Sequence, residues 1–151
     1  MKKALQILVV LLLIAGAFFI KSYLKPTEIL YSGTIETPNI TEPVEVYFDA
    51  YGVPHVFAEN DDDMFFVAGY LGARDRLFQM AFMKYTYTGQ LSRVVNDTLF
   101  AEDKFLRTLG FESIAEKTLE KIPKELLSHL QKTCDGINAY AQSLSPAEYP
   151  L

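Results

Sequence analysis

The chain has 151 residues, half of them hydrophobic, with one cysteine, no tryptophan and a formal charge of −5; that length suits one domain. Residues 1–25 hold four lysines and no acid, leaving ten basic against nineteen acidic groups elsewhere, a net of −9. So acidic a body, with no basic patch or RNP-like run, argues against nucleic acid as a partner, and a lone Cys134 excludes an intramolecular disulfide.

From the amino terminus, a short basic start leads into Ala4–Ile20, seventeen residues without a charge. That length is the lower limit for a membrane-spanning helix and slightly above a signal-peptide core. Lys21, Tyr23 and Lys25 close the run as an interfacial anchor would. Residues 1–25 are therefore read as an uncleaved signal anchor. Ala15-Gly16-Ala17 leaves a cleaved signal peptide as the alternative, and lysines on both sides orient the segment only weakly. Residues 26–43 contain three prolines and read as an extended linker with a short strand at Ser32–Glu36. Asn39-Ile40-Thr41 and Asn96-Asp97-Thr98 match the glycosylation sequon, a pattern too short to carry weight.

Residues 44–151 read as one α+β domain. Val44, Val46 and Phe48 alternate as in a half-buried strand; Asp49 to Gly52 is a turn, with Gly52 free to take positive φ. Residues 53–58 resume as a strand, which completes a β-hairpin. Asn60, Asp61, Asp62 and Asp63 then supply capping oxygens and negative charge at the start of a helix. They lack the glycine and the distant glutamate of a calcium loop.

The helix runs from about Asp62 to Thr88, with Gly89 as its C′ residue. Gly69, Gly72 and Ala73 leave one side nearly bare, which invites close approach by another backbone. Phe78, Phe82 and Tyr85 form a stripe that also takes in Asp75. Arg74, Asp75 and Arg76 cannot all share one solvent face at about 100° per residue, so at least one must point inward and find a partner. Asp75 is expected to be the buried member. Residues 90–97 read as an irregular connection. A short helix follows, in which Asp103 and Arg107 stand i,i+4 and which Gly110 closes. Phe111–Ile122 is a third helix, and Pro123 opens a fourth with a buried stripe of Leu127, Leu130, Cys134, Ile137 and Ala141.

Few residues offer chemistry. His55 lies on the second strand and reads as a hydrogen-bonded structural histidine, His129 as a surface residue, and Cys134 as a small buried hydrophobe. Arg74, Asp75, Arg76 and Gln79 could grip a carboxylate, but a buried ionic brace is the preferred reading. No HExxH, CxxC, phosphate-binding glycine loop or GxSxG elbow is present. No catalytic, cofactor-binding or metal-ligating residue is assigned.

Val44–Ala58, with its D-x-x-G-V-P-H-V core, resembles the opening of the penicillin acylase family. So do G-Y-x-x-A-x-D-R-L-F-Q-M at Gly69–Met80, Gly89-Gln90-Leu91-Ser92, Asp103 with Arg107, Leu109 and Gly110, and D-G-x-N-A-Y at Asp135–Tyr140. The resemblance implies the first part of the α chain of an N-terminal nucleophile hydrolase, a four-layer αββα sandwich whose precursor cuts itself into α and β chains. The nucleophile would be the serine that begins the β chain, with its own α-amine as base, outside these residues. It further implies a small N-acylated substrate, the remainder of the α chain and the β chain as partners, and calcium only as a ligand of the complete protein. With the hydrophobic segment through residues 4–20, the expected location is the extracytoplasmic side of a bacterial membrane. Departures from the family's usual residues stand at Ala81, Lys84, Tyr85, Arg93 and Asn96, the last at a position that usually holds glycine. They leave a non-catalytic, membrane-tethered remnant as the rival reading.

Overall fold

The computed structural model describes residues 2–23, 31–145 and 148–149. They fall into two compact units, residues 1–33 and 34–151. In the first, α1 (Lys2–Tyr23) is one uninterrupted helix of 22 residues. Its described side chains, Gln6 and residues 9–19, are all exposed. Among the described residues no helix is long and apolar enough to cross a membrane. The side chains of residues 4, 5, 7, 8 and 20, which complete the expected apolar run, lie outside the described set.

The second unit holds a two-stranded antiparallel sheet, β1 (Glu45–Phe48) and β2 (Pro54–Phe57), with Val46 opposite Val56 and Tyr47 opposite His55. The turn is built as the sequence predicts. Asp49 Oδ1 accepts from the backbone N–H groups of Tyr51 (2.8 Å) and Val53 (2.9 Å), and Gly52 takes φ 76°. Residues 32–36, expected as a strand, pair with no strand among the described residues.

Next come α2 (Asp61–Tyr87), α3 (Leu91–Val94), a 3-10 turn (Asp97–Leu99), α4 (Phe100–Leu109), α5 (Phe111–Leu119) and α6 (Lys124–Ser143). The connection read as irregular is thus largely helical. Asn96 is extended at φ −170° and accepts from Thr98 N at 2.9 Å. It serves as a cap, so the left-handed geometry available to the family's usual glycine is not used there.

The core forms where the first half of α2 meets the hairpin and α6. Phe66, Val67 and Leu71 are buried, with Ile40, Val44, Val46, Phe48, Val56 and Ala139 packed against them. Backbone contact between α2 and α6 sets this arrangement. A Cβ built on Gly136 would lie 2.8 Å from Tyr70 N and inside the envelope of Phe66 O; one built on Gly69 would lie 2.9 Å from Thr133 C and inside that of Thr133 O. The bare side of α2 is used as expected, and α6 is the element that approaches it.

This contact also fixes which face of α6 is covered, and it overturns the first part of the expected stripe, Leu127, Leu130 and Cys134, while Ile137 and Ala141 are half-buried. Gly136 is buried and Thr133, Ile137 and Tyr140 are half-buried. Cys134 follows Thr133 by about 100° and is exposed, as are Leu127 and Leu130. His129, expected on the surface, is half-buried, its ring stacked on Phe65 at 4.4 Å. The Phe78–Phe82–Tyr85 stripe stands in part: Phe82 and Tyr85 are half-buried, while Phe78 is exposed and stacks on Phe82 with ring centroids 6.0 Å apart. α2 is not one straight helix, because Arg76 departs to φ −138°, ψ 20°; angular positions counted from Asp63 do not carry across it.

Gly136→Ala should loosen the contact between α2 and α6. The added methyl meets backbone, which cannot rotate away, so destabilisation of about 1–3 kcal/mol is expected for overpacking of this kind. Chemical denaturation read by circular dichroism checks it, with Gly16→Ala, where nothing lies within 4 Å of the new Cβ, as the comparison in which only the helix-propensity gain of about 0.5–1 kcal/mol acts.

Candidate functional site

Two buried carboxylates hold the second unit's irregular segments. Asp63, 1% exposed, stands in the first turn of α2. Its Oδ1 accepts from Thr41 N (3.0 Å), and its Oδ2 from Glu42 N (2.9 Å), Thr41 Oγ1 (2.8 Å) and Asn60 Nδ2 (2.7 Å). Asn60 in turn accepts from Asp63 N at 2.9 Å. Burial pushes the Asp63 carboxyl up, but the hydrogen bonds from Thr41, Asn60 and Glu42 outweigh it and hold the group at about 2, below its ordinary 3.8. Capping, the role expected for this acidic run, is therefore shared. Asn60 caps the helix, and Asp63 ties the end of the segment read as a linker onto it. The spacing Asn60-x-x-Asp63 resembles a capping box with aspartate in place of glutamate, the one sequence signal that could have revealed this knot.

Asp103 does the same beyond the other end of α2. It is 4% exposed and accepts from Leu91 N (2.8 Å), Ser92 N (2.8 Å) and Ser92 Oγ (2.6 Å). Burial raises its pKa, and these bonds together with the charge of Arg107 bring it below the ordinary value. Arg107 Nε donates to Gly89 O at 2.8 Å, and Gly89 sits at φ 61° with no room for a side chain, since its Cβ would meet Arg107 Cγ at 2.5 Å. The i,i+4 pair expected from sequence thus works as a clasp: both side chains reach back to the chain at 89–92.

The charged trio on α2 differs from expectation. Arg74 is the inward member, its side chain 10% exposed against 39% for Asp75. Arg74 Nε donates to Asp75 Oδ1 at 2.9 Å, and its guanidinium lies 4.7 Å from the centre of the Phe48 ring, a cation–π geometry. The brace exists with the burial inverted, because the guanidinium's stem and planar head pack on an aromatic ring as a short carboxylate cannot. Tyr70 and Tyr140 meet edge to face close by, centroids 5.3 Å apart; burial, then Tyr70, raises the Tyr140 hydroxyl. Arg76 and Gln79 are exposed.

His55 faces Asp49 across the hairpin turn, Nε2 to Oδ2 3.7 Å, with the imidazole 55% exposed. The Asp49 carboxyl is lowered mainly by the Val53 N–H, against a smaller rise from burial. At that distance His55 is a neighbour of the turn acid and not its hydrogen-bond donor, so the hydrogen bond expected of a structural histidine is not formed with Asp49. Among the described residues, no three His, Cys, Asp or Glu side chains are grouped to hold a metal, and the structure brings none of His55, His129 and Cys134 together.

A hairpin clipped to a glycine-marked helix, with clasps on Asp63 and Asp103, defines a scaffold segment, and its relatives are hydrolases. The sequence model of the penicillin amidase family matches residues 43–151, and the chain belongs to that family. It is similar to penicillin acylase 2 proenzyme of Pseudomonas sp. (strain SE83), 30% identical over 80% of this chain and 16% of the relative. It is also similar to penicillin G acylase of Escherichia coli, 28% identical over 68% of this chain and 12% of the relative. Acyl-homoserine lactone acylase QuiP of Pseudomonas aeruginosa is 28% identical over 72% of this chain and 13% of the relative. Among solved structures, a thermostable penicillin G acylase from Alcaligenes faecalis superposes with a TM-score of 0.61 at 30% identity, over 68% of this chain and 55% of that one. The chain therefore spans less than a fifth of the length of these curated relatives, and its fold is an incomplete α+β one that resembles the opening of theirs.

Asp63 gives a pH test. Its folded pKa of about 2 lies below the ordinary 3.8, so its contribution is fully present above 3.8 and is lost as pH falls through about 2. Unfolding free energy should drop across that window. Asp63→Asn should be less stable at neutral pH and lose less between the two values, as measured by urea unfolding at stepped pH.

Proposed function

We propose that this chain is the N-terminal part of the α chain of a membrane-anchored amide hydrolase, acting together with the remainder of that chain and a β chain. The match over residues 43–151, with the structural likeness at 30% identity, carries the reading. The substrate class is a small N-acylated molecule, such as a β-lactam side-chain amide or an acyl-homoserine lactone, as the names of the relatives suggest.

In this reading the reacting groups lie on the β chain. Its terminal serine hydroxyl attacks the amide carbonyl, and the free α-amine, with an unperturbed pKa of about 7.7–8.0, takes the hydroxyl proton. Residues 44–151 supply the frame: hairpin, α2 and the two clasps. A calcium ion, where the complete protein binds one, is held by residues other than these. Ala4–Ile20 anchors the assembly on the extracytoplasmic side, a reading supported by the uninterrupted helix Lys2–Tyr23 and its exposed apolar side chains from Val9 to Phe19.

The 151-residue chain alone is expected to show no turnover of a chromogenic phenylacetyl anilide. Extending it with the rest of its reading frame, through a glycine–serine processing junction, is expected to produce turnover. Turnover by the short chain, or a frame without such a junction, would overturn the assignment. The anchor is tested separately: full-length product should stay in the membrane fraction after alkaline carbonate, with Met1 or Lys2 still at its amino terminus. A soluble form beginning near Phe18 would replace the anchor with a cleaved signal peptide.

A further inference from the structure

Within α2 only Arg76 leaves helical φ/ψ, at −138° and 20°, and the bend there is sharp. A Cβ built on Gly72 would lie 3.4 Å from Met80 Cε. Eight residues of straight α-helix span about 12 Å, well beyond the backward reach of a methionine side chain. The two segments must therefore fold toward each other, with Met80 in the crook. No proline stands between Gly72 and Met80, so the usual covalent cause of a kink is absent.

Packing partners change at the same residue. Upstream, Phe66, Val67 and Leu71 are buried against the hairpin, and Gly69 and Gly136 seat α2 on α6. Arg74 ends that set, lying over Phe48 and paired with Asp75. Downstream, the Tyr87 ring meets Phe111 of α5 edge to face at 5.5 Å. There the Asp103–Arg107 clasp holds residues 89–92. Of α2, the clustered apolar core takes only residues upstream of Arg76; downstream, Phe78, Met83 and Tyr87 are exposed, Leu77, Phe82 and Tyr85 half-buried, and Leu91 packs separately.

We propose that Arg76 is a hinge between two bodies of this chain. A proximal body comprises the hairpin, α2 up to Asp75 and α6. A distal body runs from Leu77 to Leu119, and the short connection 120–123 is the second pivot. Each body is internally tied, by glycine contact and Asp63 in one and by the Asp103–Arg107 clasp in the other, so motion concentrates at the residue between them.

The test uses the full chain with a nitroxide on the native, exposed Cys134 of α6. A second label is placed either on Glu45→Cys of the hairpin or on Lys84→Cys of distal α2, both exposed positions. Pulsed electron–electron double resonance should give one narrow distance distribution for the Glu45 pair and a distinctly broader one for the Lys84 pair, as a collective hinge motion would produce. Equal widths overturn the proposal. If both are narrow, the kink is rigid; if both are broad, the looseness is not confined to Arg76.

Discussion

The second unit depends on the place where α2 and α6 touch backbone to backbone. A helix pair normally keeps its axes 8–10 Å apart because side chains intervene. Here Gly69 faces Thr133 and Gly136 faces Phe66 and Tyr70. Once these glycines fix the rotation of both helices, the rest follows geometrically. Phe66, Val67 and Leu71 are turned toward the hairpin, whose Val46, Phe48 and Val56 close over them. Leu127, Leu130 and Cys134 are turned out. The burial of apolar residues is here a consequence of the glycine contact, since a freely rotating α6 would have placed its leucines inward.

Around that contact, segments without regular structure are held by carboxylates. Asp63 and Asp103 each accept two backbone N–H groups and a hydroxyl. Neither forms a salt bridge among those found between described residues. A carboxylate buried this way keeps its charge because the donors point at it. It also satisfies N–H groups that a loop cannot pair internally. The residues that carry the family resemblance coincide with these supports: Asp49 and Gly52 in the turn, Gly69 and Gly136 at the crossing, and Gly89, Ser92, Asp103 and Arg107 in the clasp. The motifs record how a frame is held, which is why the chemistry of single residues pointed to no active site.

What could be read from sequence follows the range of the interaction. The hairpin, the Asn60 cap, the long helix and its C′ glycine are decided within a few residues, and they stand where expected. The bare face at Gly69 was legible too, because absent side chains announce a contact whatever the partner. Burial of individual residues was not. Placing Asp75 inward assumed a straight helix through Arg76, and placing Cys134 inward assumed that α6 buries its leucines. Both assumptions fail for reasons that lie in other elements. Asp63 was hidden by its neighbours, since three adjacent acids look alike until one finds Thr41 and Glu42, 22 and 21 residues away.

The hairpin supports the reading of this segment as one layer of a larger stack. Its inner face is covered by α2, yet its outer face is not the polar surface that a solvent-facing antiparallel pair usually presents. Tyr47 and Phe57 lie edge to face there, ring centroids 5.8 Å apart, and Tyr51 at the turn is 92% exposed. Two four-residue strands are too few to stand alone in water and depend on their packing against α2. The outer face thus sets two aromatic rings, Tyr47 and Phe57, beside the polar Glu45 and His55, a mixed surface that a further layer could cover in part. Leu127 and Leu130 of α6 and Phe78 of distal α2 are exposed as well. The physical case for partner segments therefore rests on specific faces: the outer side of the hairpin, the leucine side of α6 and the Phe78–Phe82 side of α2.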